Sequence, residues 1–250
     1  MSTASAQCKK NAEKAGDNFS NEYSGDPVRI RWTDVHGSPC EFPLWVMPLF
    51  PAGEIDRIGR FVREPDRRLR YAALALLFHL IHETFGDCSA MHIDYDPQGK
   101  PYLSGAGNAD ISISHSGDVV VCALSAQCRI GIDIEKVRPV EISEFRDVFP
   151  ESLMKWCLND PGVSYDSNST DNRFFRAWTR FESVIKADGQ GLGAPFDDLV
   201  FDGDSALLNN KIWHLKALEV TEGYTCNLAS NEHVEKCEVL RVGGLMPDHY

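Results

Sequence analysis

The chain has 250 residues, 43% of them apolar, and its 25 lysines and arginines against 37 acids leave a net charge of −12. That length and apolar content can bury one large core or two smaller ones, which excludes disorder throughout. The acidic balance disfavours general nucleic-acid or anionic-membrane binding, because both demand a basic surface.

Met1 to about Gly25 mixes lysines with acids and has no apolar core of a signal peptide, so it reads as a polar extension of a cytoplasmic protein. Eight cysteines are scattered without a CxxC pair, which fits reduced thiols rather than a zinc ribbon or a disulfide framework. Val28 to Trp32 and Leu44 to Met47 are expected as short strands between prolines and glycines. Helical spacing then runs through EIDRIGRFVREPD until Pro65. DRRLRYAALALLFHLIHETFG predicts a long helix with Asp66 as N-cap and Gly86 beyond its end. Its apolar run, Ala72 to Phe78, is far short of the roughly 20 residues that span a bilayer, so no membrane partner is expected. Arg57, Arg60, Arg63, Arg67, Arg68 and Arg70 fall within this region, as either a solvated face or a site for a small anion.

Gly99 to Leu103 (GKPYL) reads as a strand, ISISHSGDVVVCALS as two strands around Ser116-Gly117-Asp118, and IGIDIEK as a third. The second half predicts helices over Val140 to Phe149 and Pro150 to Leu158, and a polar loop from Asp160 to Thr170. A long helix from Asn172 to Asp188, ended by Gly189, and paired strands in KIWHLKALEV and GYTCNLAS follow. Each half thus runs helix, long helix, strands. The predicted fold is α+β, with an extension at 1–25 and two similar lobes at 26–127 and 128–250, the ligand site lying between them. Halves that pair within one chain predict a monomer.

Asp133 and Glu135 alternate with isoleucines, so they share one face of a strand. Alone, that is a half-solvated strand. Glu182 and Lys186 lie one turn apart on the second long helix; alone, they are a surface ion pair worth about 0.3–0.5 kcal/mol. His115 stands between Ser114 and Ser116 near a turn. Together, three carboxylates suit Mg²⁺, a hard cation that completes its shell with water and substrate phosphate. Lys186, His115 and the arginines would hold the remaining phosphate charge, which points to phosphoryl or pyrophosphate transfer. Other patterns fail: HLIHE lacks the HExxH spacing, Gly105-Ala106-Gly107 lacks a third glycine, and no GxSxG frames the serines.

ISHS at 113–116, GIDIE at 131–135 and WTRFESVIK at 178–186, in this order and separation, resemble the signature motifs of the 4′-phosphopantetheinyl transferases. The similarity is to their two-lobed, surfactin-synthetase-activating type and covers roughly Gly99 to Ser230, with GKPYL and GQGLG adding to it. It implies transfer of the 4′-phosphopantetheine of coenzyme A to a serine of an apo acyl- or peptidyl-carrier protein, releasing 3′,5′-ADP. By the same resemblance, Asp133, Glu135 and Glu182 would bind Mg²⁺ with the pyrophosphate, and Glu182 would take the proton of the carrier serine. Ser114, His115 and Lys186 would contact coenzyme A phosphates, and Lys100 with an arginine from Arg67, Arg68 or Arg70 would hold the nucleotide. Phe181 stands where the family usually has lysine, and Leu74 and Phe78 stand where basic residues are frequent. Those departures motivate an alternative, a relative that binds coenzyme A or a carrier without catalysis.

Overall fold

Alternating apolar residues in VRIRWTD produce the first strand, β1 (Val28–Asp34), which buries Val28 and Ile30. The computed structural model describes residues 26–36, 44–51, 53–60, 63–141, 169–191 and 199–243. The proposed extension, the helix expected over Val140 to Phe149 beyond its first two residues (which are not helical), the helix expected over Pro150 to Leu158 and the loop up to residue 168 lie outside that set.

After β1 come α1 (Glu54–Gly59), α2 (Glu64–Phe85), the ribbon β2 (His92–Tyr95) with β3 (Pro101–Ser104), and the hairpin β4 (Asp110–Ser116) with β5 (Val119–Ser125). Then follow β6 (Ile130–Lys136), α3 (Ser169–Asp188), β7 (Val200–Asp202), β8 (Ser205–Leu208), β9 (Lys211–Leu218), β10 (Tyr224–Ser230) and β11 (Cys237–Arg241). One sheet has the order β11-β1-β5-β4 and the other β6-β10-β9-β8-β7. The fold is α+β, and each sheet carries one long helix.

Every residue of β5 is buried, because both of its faces are covered. Val120, Cys122 and Leu124 pack against α2, while Val119, Val121 and Ala123 meet Ile130, Ile132 and Ile134 of the second sheet. The isoleucines of IGIDIEK therefore form the seam between the sheets, and the residues alternating with them face α3. Gly131 makes this possible. A Cβ there would come 2.1 Å from Ser183 O and 2.4 Å from Ala187 N, so only glycine lets α3 lie so close on β6.

Three expectations change, and one strand pairing was not anticipated. Leu44 to Met47 is not a strand but the start of a 3₁₀ helix, Leu44–Leu49, with Pro48 inside it; proline cannot donate to a ladder. The long helix begins at Glu64, not after Asp66, with Arg63 in extended conformation as N-cap and Pro65 in the first turn. Proline fits there, since its missing N–H would have no partner anyway. The second long helix begins at Ser169, three residues early. Finally, β11 pairs in parallel with β1, so the end of the described chain joins the sheet of the first half. The expected division near residue 127 therefore leaves this one strand on the other side. Among the described residues, no helix is long and apolar enough to cross a membrane.

Candidate active site

A cleft of about 540 Å³ opens where β4, β6 and α3 meet, and Arg70, Ser114, His115, Asp133, Glu135, Glu182 and Lys186 line it. Asp133 is only 3% exposed. Its Oδ1 accepts hydrogen bonds from Ser114 Oγ at 2.7 Å and from Lys186 Nζ at 2.6 Å, and Lys186 also donates to Ser114 Oγ at 2.8 Å. Asp133 Oδ2 is buried and, among the described residues, has no hydrogen-bond partner. An orphaned buried acceptor costs roughly 1–3 kcal/mol, and more when charged, so this oxygen calls for a cation or donor.

Glu135 accepts from Ser116 Oγ at 2.6 Å. Burial raises its carboxyl above the ordinary range, and the Ser116 bond opposes that rise. On α3, Glu182 is 8% exposed. Burial first, then the charge of Asp133, pushes its carboxyl up to about 7, with Lys186 acting against both. Lys186 pairs across the elements with Asp133, in place of the surface pair with Glu182 that the one-turn spacing taken alone suggests. Ser114 and Asp133 together offer the ammonium two short acceptors, which one glutamate does not.

His115 enters the cleft from β4, and Arg70 from α2. Desolvation by the cleft walls, then the positive charges of Arg70 and Lys186, lower the imidazole below its usual range, although its residue surface remains accessible. Lys100 also lines the cleft, but its Nζ is already committed to Asp110 Oδ2 at 2.7 Å and to Ile130 O at 3.2 Å. It ties β4 to β6, and burial lowers its pKa. Arg67 and Arg68 are not among the lining residues; Arg68 donates to Glu64 one turn back at 2.6 Å. Of the three arginines singled out in the sequence, Arg70 is thus the one at the cleft.

Sequence reasoning passed over a cation that does line it. Arg57 forks onto buried Glu54 (Nε–Oε2 2.8 Å, Nη2–Oε1 2.5 Å) and stands 4.1 Å above the Tyr95 ring. Its only sequence signal was membership of the arginine cluster. Trp178, from the third motif, also lines the cleft, whereas Phe181 is 2% exposed and packs in the apolar cluster under α3. The apolar-side reading of Phe181 thus matches its burial.

Among the described residues, no group of three His, Cys, Asp or Glu side chains forms a ready metal cage. Asp133, Glu135 and Glu182 share the cleft without closing on one point. Their mutual repulsion, and the Lys186 ammonium on Asp133, account for this. Mg²⁺ does not require a cage, because it keeps several waters and binds through one or two carboxylates plus phosphate. The orphaned Asp133 Oδ2 beside Glu135 and Glu182 is a donor set that fits such an ion.

Two family models match the chain. That of the 4′-phosphopantetheinyl transferase superfamily covers residues 129–229, and that of the 4′-phosphopantetheinyl transferase N-terminal region covers 36–127. The Sfp 4′-phosphopantetheinyl transferase of Bacillus subtilis is 31% identical over 177 residues, 68% of this chain and 76% of the relative. The gsp 4′-phosphopantetheinyl transferase of Aneurinibacillus migulanus is 33% identical over 53% of this chain and 55% of its own. The L-aminoadipate-semialdehyde dehydrogenase-phosphopantetheinyl transferase of Rattus norvegicus is 30% identical over 69% of this chain, which spans 60% of that relative.

Proposed function

The chain belongs to the 4′-phosphopantetheinyl transferase superfamily, an enzyme family, and from that premise we propose that it transfers the 4′-phosphopantetheine of coenzyme A to a serine of an apo acyl- or peptidyl-carrier protein. The observation that carries the reading is the junction of Asp133, Glu135, Glu182 and Lys186 in one cleft that His115 also lines. The proposal includes two lobes, 26–127 and 128–250 with β11 crossing back, acting as a cytoplasmic monomer.

In this reading Asp133, Glu135 and Glu182 would hold Mg²⁺ together with the pyrophosphate of coenzyme A. An ion held there would neutralise phosphate charge and stabilise the leaving group. Glu182 takes the proton from the carrier serine hydroxyl, and with its carboxyl near about 7 it is largely ionised just above neutrality yet basic enough for the task. The serine oxygen forms a bond to the phosphorus bearing pantetheine, and the bond from that phosphorus to the bridging oxygen breaks, which releases 3′,5′-ADP. Lys186 and Arg70 supply positive charge around the phosphates, Arg57 lines the wall while paired with Glu54, His115 offers its imidazole as a hydrogen-bonding group rather than as a cation, and Ser114 holds Lys186 toward them. Lys100 shapes the wall through Asp110.

The deciding experiment incubates the protein with coenzyme A, Mg²⁺ and several apo carrier proteins and weighs the carriers. A gain of the phosphopantetheine mass is expected, abolished by chelation of Mg²⁺. Carriers of unchanged mass across the whole set would sink the reading.

A further inference from the structure

Every second residue of β4 from Asp110 to Ser116 presents a side-chain acceptor, and every second backbone N–H of β6 donates to one. Ile130 N donates to Asp110 Oδ2 at 2.9 Å, Ile132 N to Ser112 Oγ at 3.0 Å, Ile134 N to Ser114 Oγ at 3.3 Å and Lys136 N to Ser116 Oγ at 3.1 Å. The two strands belong to different sheets, so side chains here replace the main-chain carbonyls of a ladder.

A serine hydroxyl has one proton to give. Once an N–H of β6 engages its oxygen, that proton is directed elsewhere, and at two rungs the recipient is a carboxylate of the cleft. Ser114 donates to Asp133 Oδ1 at 2.7 Å and Ser116 to Glu135 Oε2 at 2.6 Å. At the Asp133 rung Lys186 shares the work, whereas at the Glu135 rung, among the described residues, the Ser116 bond is the hydrogen bond found for the carboxylate. Ser112 makes the same acceptor bond to β6, and among the described residues it has no carboxylate partner.

We propose that Ser116 is a positioning residue for Glu135. The Lys136 N–H sets the hydroxyl, the hydroxyl sets Oε2, and Oε1 is left for a divalent cation in the cleft. The inference rests on the reading that Asp133, Glu135 and Glu182 bind such an ion. It adds that the alternating Asp-x-Ser-x-Ser-x-Ser of β4 both joins the sheets and aims the acids.

The test uses the full chain, without carrier, and measures coenzyme A binding by calorimetry across a series of Mg²⁺ concentrations, with thermal melts alongside. Ser116→Val and Ser116→Thr have nearly the same shape and differ by the hydroxyl, so their comparison reads the hydroxyl apart from folding. Losing a partner that orients a metal ligand typically weakens metal affinity about 10–100-fold, so Ser116→Val is expected to raise the Mg²⁺ midpoint by at least about tenfold. Ser116→Thr is expected to restore most of that loss. Ser112 also lines the cleft but, among the described residues, bonds to no carboxylate, so Ser112→Ala removes an equivalent acceptor from β6 and is expected to lower the melting temperature while keeping the Mg²⁺ midpoint. An unchanged midpoint in Ser116→Val, or an equal shift in Ser112→Ala, would overturn the positioning role alone. Coenzyme A binding by the parent protein that ignores Mg²⁺ would overturn the cation site itself, and this inference with it.

Discussion

At Glu182, the demand for a base and the demand for stability pull in opposite directions. Its folded carboxyl sits up to about 7, against about 4.3 for a free glutamate. Between those values the folded protein binds a proton that the unfolded chain has released, so stability falls as pH rises through this window, and the cost is complete above about 7. Glu182→Gln removes the buried charge. It is expected to abolish transfer, to stabilise the protein at pH 8 by on the order of 1–3 kcal/mol, and to change little near pH 4; thermal melts at both pH values check the sign. Transfer by the parent should rise with pH on a limb at or below about 7, because the base must be ionised and a bound cation lowers its pKa further. A limb that lies above about 7 would count against Glu182 as the base. Phe181 makes a contrasting case. It is 2% exposed, with its ring centroid 6.1 Å from that of Trp178, so inserting the lysine usual in the family buries a charge in an apolar cluster. Phe181→Lys is expected to cost about 3–5 kcal/mol in a denaturant titration rather than to add a cation to the cleft.

Elements meet at the site because one strand is unusually thin where a helix crosses it. Gly131, two residues before Asp133, lets α3 touch the backbone of β6, and that contact sets the depth at which Glu182 and Lys186 face Asp133 and Glu135. Gly131→Ala would place a methyl within 2.1 Å of Ser183 O and 2.4 Å of Ala187 N, backbone atoms that yield only if the helix moves. The expected outcome is a loss of about 3 kcal/mol and a fall in transfer at saturating coenzyme A. Retained stability with retained activity would show that the helix can shift freely. The strands β1, β3 to β6, β9 and β10 were legible, whereas β2, β7, β8 and β11 were not anticipated; the C-terminal caps of both long helices were legible too, since Gly86 and Gly189 take positive φ where each helix stops. The N-terminal boundary of α2 was not, because Pro65 reads as a breaker although the first helical turn tolerates it.

Across the whole molecule, the end of the described chain closes the first sheet. Arg31, 4% exposed on β1, donates to Glu83 of α2 at 2.9 Å and to Glu238 of β11, so it clamps the helix and the last strand to one sheet. Deleting the chain from Cys237 onward is expected to expose the edge of β1, leave Arg31 half-paired, and lower one cooperative melting transition for both sheets, which share the Ile130, Ile132 and Ile134 seam. Two separate transitions in the truncated protein would show instead that the halves fold independently.

Local pattern was enough for the sequence to determine the alternation of Asp133 and Glu135 with isoleucines, the face shared by Glu182 and Lys186, the turn after His115 and the burial of Phe181. Period-two and one-turn spacings are properties of neighbouring residues, and no distant partner is needed to read them. Tertiary structure alone decided that Lys186 pairs with Asp133 rather than with Glu182, that Arg70 and Arg57 reach the cleft while Arg67 and Arg68 do not, and that Lys100 is held by Asp110. It also decided that β4 serines satisfy the backbone of β6 and that β11 lies beside β1. Each of those outcomes is a competition among partners far apart in the chain, settled by which groups the packing of α3 on Gly131 and of one sheet on the other brings within hydrogen-bond reach.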